Sequence, residues 1–167
     1  ITRVCEGTLE YRILIDYIIN SFSKIPVDKM KPPIREILRS GVYQIRFMDS
    51  VPDSAVCNEA VNLAQRKGFY NLKPFVNGVL RTIAREQNNI KLPSREENLV
   101  QYFSVKYSMP ETLVTRWLGD YGEETTEKIL QDFLKEKPLT VRFRTHKYSE
   151  EEICQSLRNQ GVELKRA

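Results

Sequence analysis

Apolar residues recur at helical spacing through most of this chain. Leu9, Ile13, Tyr17 and Ile18 fall on one side of a helix, with Arg12, Asp16 and Asn20 on another. Pro32 and Pro33 open a second helix, where proline's missing N–H costs nothing, and Ile34, Ile37, Leu38 and Ile45 supply its apolar members. Ser40 and Gly41 mark a point on it where another helix packs closely. Residues 49–52 predict a turn, Asp53 or Ser54 an N-cap, and Gly68 the end of a third helix. A fourth helix starts near Pro74 and carries Phe75, Val76, Val79, Leu80 and Ile83.

Residues 87–93 break the pattern and predict a linker. Ser94 with Glu97 then reads as a capping box for a helix carrying Leu99, Phe103 and Tyr107. Two further helices follow, one with Leu113, Val114, Trp117 and Leu118, the other with Ile129, Leu130, Phe133 and Leu134. After Pro138 the period changes to two. Leu139, Val141, Phe143 and Thr145 lie on one strand face, with Thr140, Arg142, Arg144 and His146 on the other. Ser149 and Glu152 cap another helix through Ile153 and Leu157, ended by Gly161, and 162–164 predict a second strand. The expected fold class is therefore mainly α. A helical bundle over 1–90 is followed over 91–167 by a small α+β subdomain, helices and then strand–helix–strand, that is cut short.

Composition narrows the function classes. At 167 residues, 41% of them hydrophobic, the chain has material for one good core or two small ones. No stretch approaches the run of about 20 apolar residues that spans a bilayer, and no secretory signal pattern is present, so a soluble, cytoplasmic protein is expected. Cys5, Cys57 and Cys154 are far apart and odd in number, which argues for three thiols packed as small apolar residues, not for a zinc site or disulfide framework. His146 is the single histidine, so neither a histidine metal site nor a Ser-His triad is expected. Up to residue 90 there are 13 Lys and Arg against 9 Asp and Glu, an excess of four, whereas from residue 91 onward the two are equal at 13. An anionic partner such as nucleic acid suits the first half.

The candidate chemistry is binding chemistry. Lys73, Asn77, Arg81 and Arg85 are each four apart on the fourth helix, with nothing acidic between them on the stripe. Three cations and an amide in that arrangement suit a phosphate backbone. The competing reading is an ordinary solvated face opposite the apolar one, with Asn77 a buried amide bonding a neighbouring backbone. Arg142 and Arg144 share a strand face with His146, and they suit either single-stranded RNA or carboxylates elsewhere in the protein. Glu59 has no nucleophile or second acid at a telling spacing and reads as a solvated carboxylate. Trp117 reads as core, and the seven glycines form no phosphate-binding loop. No catalytic, cofactor-binding or metal-ligating residue is assigned. Residues alone support a mostly helical, mildly basic binding module.

An ordered set of phrases goes further. Residues 51–61 (VPDSAVCNEAV) and 75–81 (FVNGVLR), with 7–12 (GTLEYR) and 38–44 (LRSGVYQ) upstream, resemble the NusB-like helical domain of transcription antitermination proteins and some rRNA methyltransferases. Residues 107–111 (YSMPE), Trp117 with Tyr121 and Gly122, and 138–142 (PLTVR) resemble the methyltransferase group called RsmB, Sun or Fmu. The resemblance implies a parent enzyme that transfers methyl from S-adenosylmethionine to carbon 5 of a cytosine in 16S rRNA of the small subunit. It places the catalytic cysteines and the cofactor fold later in the chain, making the enzyme's own catalytic domain a partner. The first helices of the family precede Ile1, so the bundle is expected to expose apolar surface. The family's asparagine two residues after the arginine matching Arg142 is here Arg144. The alternative reading is a protein-interaction or antitermination module acting in regulation of transcription, without enzymatic role.

Overall fold

The computed structural model describes residues 2–135, 140–144 and 146–164. Eight α-helices run in the order α1 (Thr2–Glu10), α2 (Arg12–Phe22), α3 (Pro32–Phe47), α4 (Asp53–Arg66), α5 (Lys73–Glu86), α6 (Leu99–Tyr107), α7 (Glu111–Phe133) and α8 (Glu150–Asn159). The chain divides into two compact units, residues 1–134 and 135–167. The 87–93 segment expected as a linker therefore lies inside the first unit.

Five helices build the main core of that unit. Ile15, Ile18 and Ile19 of α2, Ile34, Leu38 and Val42 of α3, Val56 and Ala60 of α4, and Val76, Leu80 and Ile83 of α5 are all buried there. Val4 of α1 packs at its edge. The α3–α5 crossing is tight at Gly41, where an added Cβ would sit 2.9 Å from both methyls of Leu80. The predicted close approach is thus a steric necessity, since Leu80 is itself fully buried.

The first apolar stripe is corrected. Leu9 is 69% exposed and is no part of the core. Tyr11 (φ −93°, ψ 18°) interrupts the helix between α1 and α2, so the spacing from Leu9 to Ile13 crosses a break and no longer defines one face. Asp16, on the other side of that helix, receives a bidentate pair from Arg39 of α3 at 2.7 and 2.6 Å. Asn20 accepts from the backbone N–H of Val27 at 2.9 Å. Two predicted caps also move. Pro52, not Asp53 or Ser54, occupies the N-cap of α4. Ser94 accepts from the N–H of Glu97, but α6 begins later, capped by Asn98 through the N–H of Gln101.

Phe103 and Tyr107 of α6, with Val114 and Leu130 of α7, form a second, smaller core. Trp117 is half-buried, packs against it and stacks on exposed Phe133 at 5.8 Å between centroids, so it lies at the edge of this core. Gly122 (φ 73°, ψ 175°) splits α7 into the two stretches that the pattern predicted separately. A charge network staples α6 to α7. Glu127 accepts from the Tyr107 hydroxyl at 2.7 Å and from Lys106 at 3.1 Å, and it pairs with Arg95 at 3.0 Å. Arg95 also lies 5.5 Å from the centre of the Phe103 ring, and Lys106 lies 4.9 Å from that of Tyr107.

In the second unit α8 has the predicted capping box, Ser149 and Glu152 bonding each other's backbone N–H, and Gly161 (φ 82°) follows its end. The strand–helix–strand expectation is not met: among the described residues there is no strand. Residues 140–144 and 162–164 carry no regular structure, while Leu139 and Thr145 lie outside the described residues. Alternation expresses fitness for a pleated, half-buried surface. It becomes a strand only when the backbone finds a ladder partner, and none pairs with these segments among the described residues. The mainly α class holds.

Two outcomes check this packing. Gly41→Val overfills the α3–α5 crossing and is expected to lower stability by about 1–3 kcal/mol in urea unfolding. Gly78→Ala, in mid-α5 with open space around its Cα, is expected to raise it by up to about 1 kcal/mol. The Tyr107 hydrogen bond, followed by Lys106 and Arg95, holds the Glu127 carboxyl below the usual carboxylate range. Stability from that shift is present above the unfolded value of about 4.3 and is lost as pH falls through the folded one. The stability gap between wild type and Glu127→Gln should therefore be full at neutral pH and shrink as the solution is made acid enough to protonate Glu127 in the folded state, which urea unfolding across a pH series reads.

Candidate nucleic-acid interface

α5 carries the stripe because its opposite face is committed. Val76, Val79, Leu80 and Ile83 are buried, which leaves Arg81 and Arg85 exposed, with Asn77 at the boundary. Four-residue steps advance about 40° per step around a helix, so the stripe winds by about 120° from Lys73 to Arg85 and runs about 18 Å along the axis. The four side chains thus form a helical track, not a flat face.

Their local partners differ. Lys73 donates to the Gln65 side chain of α4 at 2.7 Å and is half-buried. Arg85 pairs with its neighbour Glu86 at 2.9 Å yet keeps 73% of its side chain exposed. An exposed pair of this kind contributes little and gives way readily to a phosphate. Arg81 has no carboxylate at ion-pair distance among the described residues. It lies beside α4: burial pushes the Cys57 thiol up, while the Arg81 charge pulls it the other way. Cys57 is a fully buried core residue in which the protonated thiol is favoured. Cys154 is half-buried, and Cys5, expected to pack as a small apolar residue, is exposed on α1.

Reasoning from the stripe alone missed its setting. From residue 60 to residue 85 there are five cations, Arg66, Lys67, Lys73, Arg81 and Arg85, and no Asp or Glu. The signal was legible as an acid-free window. It escaped notice because Arg66 and Lys67 belong to α4 and its cap, outside the periodicity of α5. Glu59 is exposed, in keeping with a solvated carboxylate.

Arg142 and Arg144 are exposed on either side of half-buried Phe143 and belong to the other compact unit. His146 is exposed in a turn. Among the described residues no group of His, Cys, Asp and Glu is arranged to hold a metal ion, and no helix is long and apolar enough to cross a membrane. Gly7 and Gly41 are closed off by Tyr43 and Leu80, and the positive-φ glycines, Gly68, Gly122 and Gly161, stand at helix ends or at the α7 break. No methyl-transfer step is assigned to these residues.

Comparison with known proteins bears on what this surface serves. Residues 1–85 match the NusB family, and residues 109–167 match the ferredoxin-like domain described as Methyltr_RsmF/B-like. The chain is 34% identical over 168 residues to the probable ribosomal RNA small subunit methyltransferase B of Bacillus subtilis (strain 168), a match covering 99% of this chain and 36% of that protein. A protein of the same description from Synechocystis sp. is 31% identical, over 93% of this chain and 34% of its own length. The transcription antitermination protein NusB of Acidothermus cellulolyticus is 37% identical over 89 residues, 53% of this chain and 61% of that protein. The chain thus spans about a third of the methyltransferase relatives it matches. With a NusB domain joined to an RsmF/B-type ferredoxin-like domain, the chain belongs to the NusB family in its RsmB/Sun/Fmu-type arrangement.

Proposed function

We propose that this chain is the RNA-holding front part of an S-adenosylmethionine-dependent 16S rRNA cytosine-C5 methyltransferase acting in the cytoplasm. Residues 1–90 hold the RNA backbone through the α5 track, and residues 91–167 present the target base to the enzyme's own catalytic domain. The observation that carries the reading is the acid-free track on α5, with Arg81 and Arg85 exposed opposite a fully committed apolar face. Lys73 and Asn77 lie on the same track; in the second unit, taken by itself, Arg142 and Arg144 are exposed cations that suit RNA. Cations that meet phosphates release condensed counterions, which gives affinity that falls with salt without demanding a particular sequence.

A reading as a protein-interaction or antitermination module draws on the relatives named NusB. Those matches cover about half of this chain, whereas the methyltransferase relatives cover nearly all of it. The extent of the match favours the enzyme's front part.

The test is binding of this chain to a small-subunit rRNA fragment across a salt series. Wild-type affinity should fall steeply as salt rises. Arg81→Glu with Arg85→Glu should weaken binding by about tenfold or more and reduce the salt slope by about 1–2, because each lost phosphate contact removes about 0.7–0.9 from it. Equal affinity and slope in wild type and double variant would exclude the α5 track.

A further inference from the structure

Beside the track, at the corner where α4 turns into α5, one aromatic side chain stands apart from its neighbours. Phe69 and Leu72 pack against the main core, but Tyr70, between them in sequence, is 61% exposed. Among the described residues no ring or cation covers its face. Three cations lie within four residues of it: Arg66 in the last turn of α4, Lys67 at its C-cap, and Lys73 at the start of α5. The nearest carboxylates in sequence are Glu59 and Glu86, each more than ten residues away.

The backbone under Tyr70 is fixed. The N–H of Phe69 donates to the Ala64 carbonyl at 2.9 Å, and that of Leu72 donates to the Phe69 carbonyl at 3.0 Å. Lys73 ties the start of α5 to Gln65 of α4 at 2.7 Å. With half-buried Phe69 and Leu72 packed against the core on either side, the corner cannot fold Tyr70 back without losing both anchors. A ring held out on a rigid turn has already met part of the ordering cost that binding would impose.

We infer that Tyr70 is a stacking platform for an unpaired RNA base, with the flanking phosphates held by Arg66, Lys67 and Lys73. This rests on the RNA-holding reading above and adds to it the class of RNA recognised at this corner. A flat aromatic face among cations, with no carboxylate between residues 60 and 85 and Glu36 of α3 the acid that shares a cleft with Lys67, is a combination that grips single strands, because every exposed base has a π-face and every nucleotide a phosphate. In a duplex the base faces are already stacked on one another, so Tyr70 gains nothing there and only the cations act.

The test compares an unstructured oligoribonucleotide of about twelve residues with the same strand annealed to its complement. Each is titrated with wild type, Tyr70→Ala and Tyr70→Phe, all shown to be folded by circular dichroism. Tyr70→Ala is expected to weaken single-strand binding about tenfold, leave duplex binding unchanged and keep the salt slope of wild type. Tyr70→Phe should bind the single strand as wild type does, since the ring and not the hydroxyl makes the contact. Single-strand affinity unaffected by Tyr70→Ala, or equal losses on strand and duplex, overturns the platform. Either result would leave the α5 track standing if Arg81 and Arg85 reversal still flattened the salt dependence. Absence of any RNA binding by folded wild type at low salt overturns both.

Discussion

The burial of one face of α5 is the constraint from which the rest of this surface follows. Val76, Val79, Leu80 and Ile83 are taken into the main core, and Leu80 is locked by contact with the bare backbone at Gly41 of α3. A helix so anchored has no rotational freedom. The polar residues at the other positions are aimed outward whether or not anything binds them; Arg81 has no carboxylate at ion-pair distance among the described residues, and Arg85 has only its exposed neighbour Glu86. Core packing sets the direction of these side chains, and only their chemistry remains for function to choose.

The same economy joins the two cores of the first unit. The break at Tyr11 leaves N–H groups at the start of α2 without helical partners. One of them, on Ile13, donates to the Ser108 hydroxyl at 3.0 Å across 95 residues of sequence. Ser108 can reach because it closes α6 in the left-handed conformation (φ 52°), which turns the chain sharply before α7. Tyr17 of α2 donates to the Lys91 carbonyl at 3.0 Å, and Arg46 of α3 donates to that of Gln87 at 2.9 Å. The segment between the cores is therefore strapped to the bundle along its length. Its loop-like composition marks where helices stop, not where compactness ends.

What was legible in the sequence follows the strength of the local physics. Long apolar periods fixed α3, α4 and α5, Pro32 and Pro33 fixed a start, and Gly68 and Gly161 fixed ends, because each is decided within a few residues. Capping was legible where one candidate existed, at Ser149 and Glu152, and misleading where Ser94 competed with Asn98. Leu9 was misplaced since a one-residue break at Tyr11 leaves no mark on a periodicity count. Residues 140–144 alternate as a strand does, but a strand is a pairing, and a pairing depends on residues far away in sequence. Of the site, the α5 stripe stands out by its period, whereas Arg66, Lys67 and Tyr70 are adjacent in sequence but share no helical period with it, and that Tyr70 is exposed while Phe69 and Leu72 pack inward is decided by the tertiary fold.

Net charge alone would have ranked the two halves only weakly, an excess of four against none. Partnering separates them further. In α6 and α7 the charges are largely spent on one another: Arg95 on Glu123 and Glu127, Lys106 on Glu127, Lys128 on Glu124, and Arg116 on Asp120. Of these, Arg95 and Lys106 would have to leave the half-buried Glu127 before meeting a phosphate, whereas the exposed pairs of Arg116 and Lys128 give way as readily as that of Arg85. Along residues 60–85 no carboxylate exists to be given up, and Arg85 holds only an exposed one next door. For an anionic ligand the rearrangement cost is therefore lower at Arg81 and Arg85 than at Arg95 and Lys106. The two halves carry equal numbers of lysines and arginines, so what separates them is how far those cations are held by carboxylates.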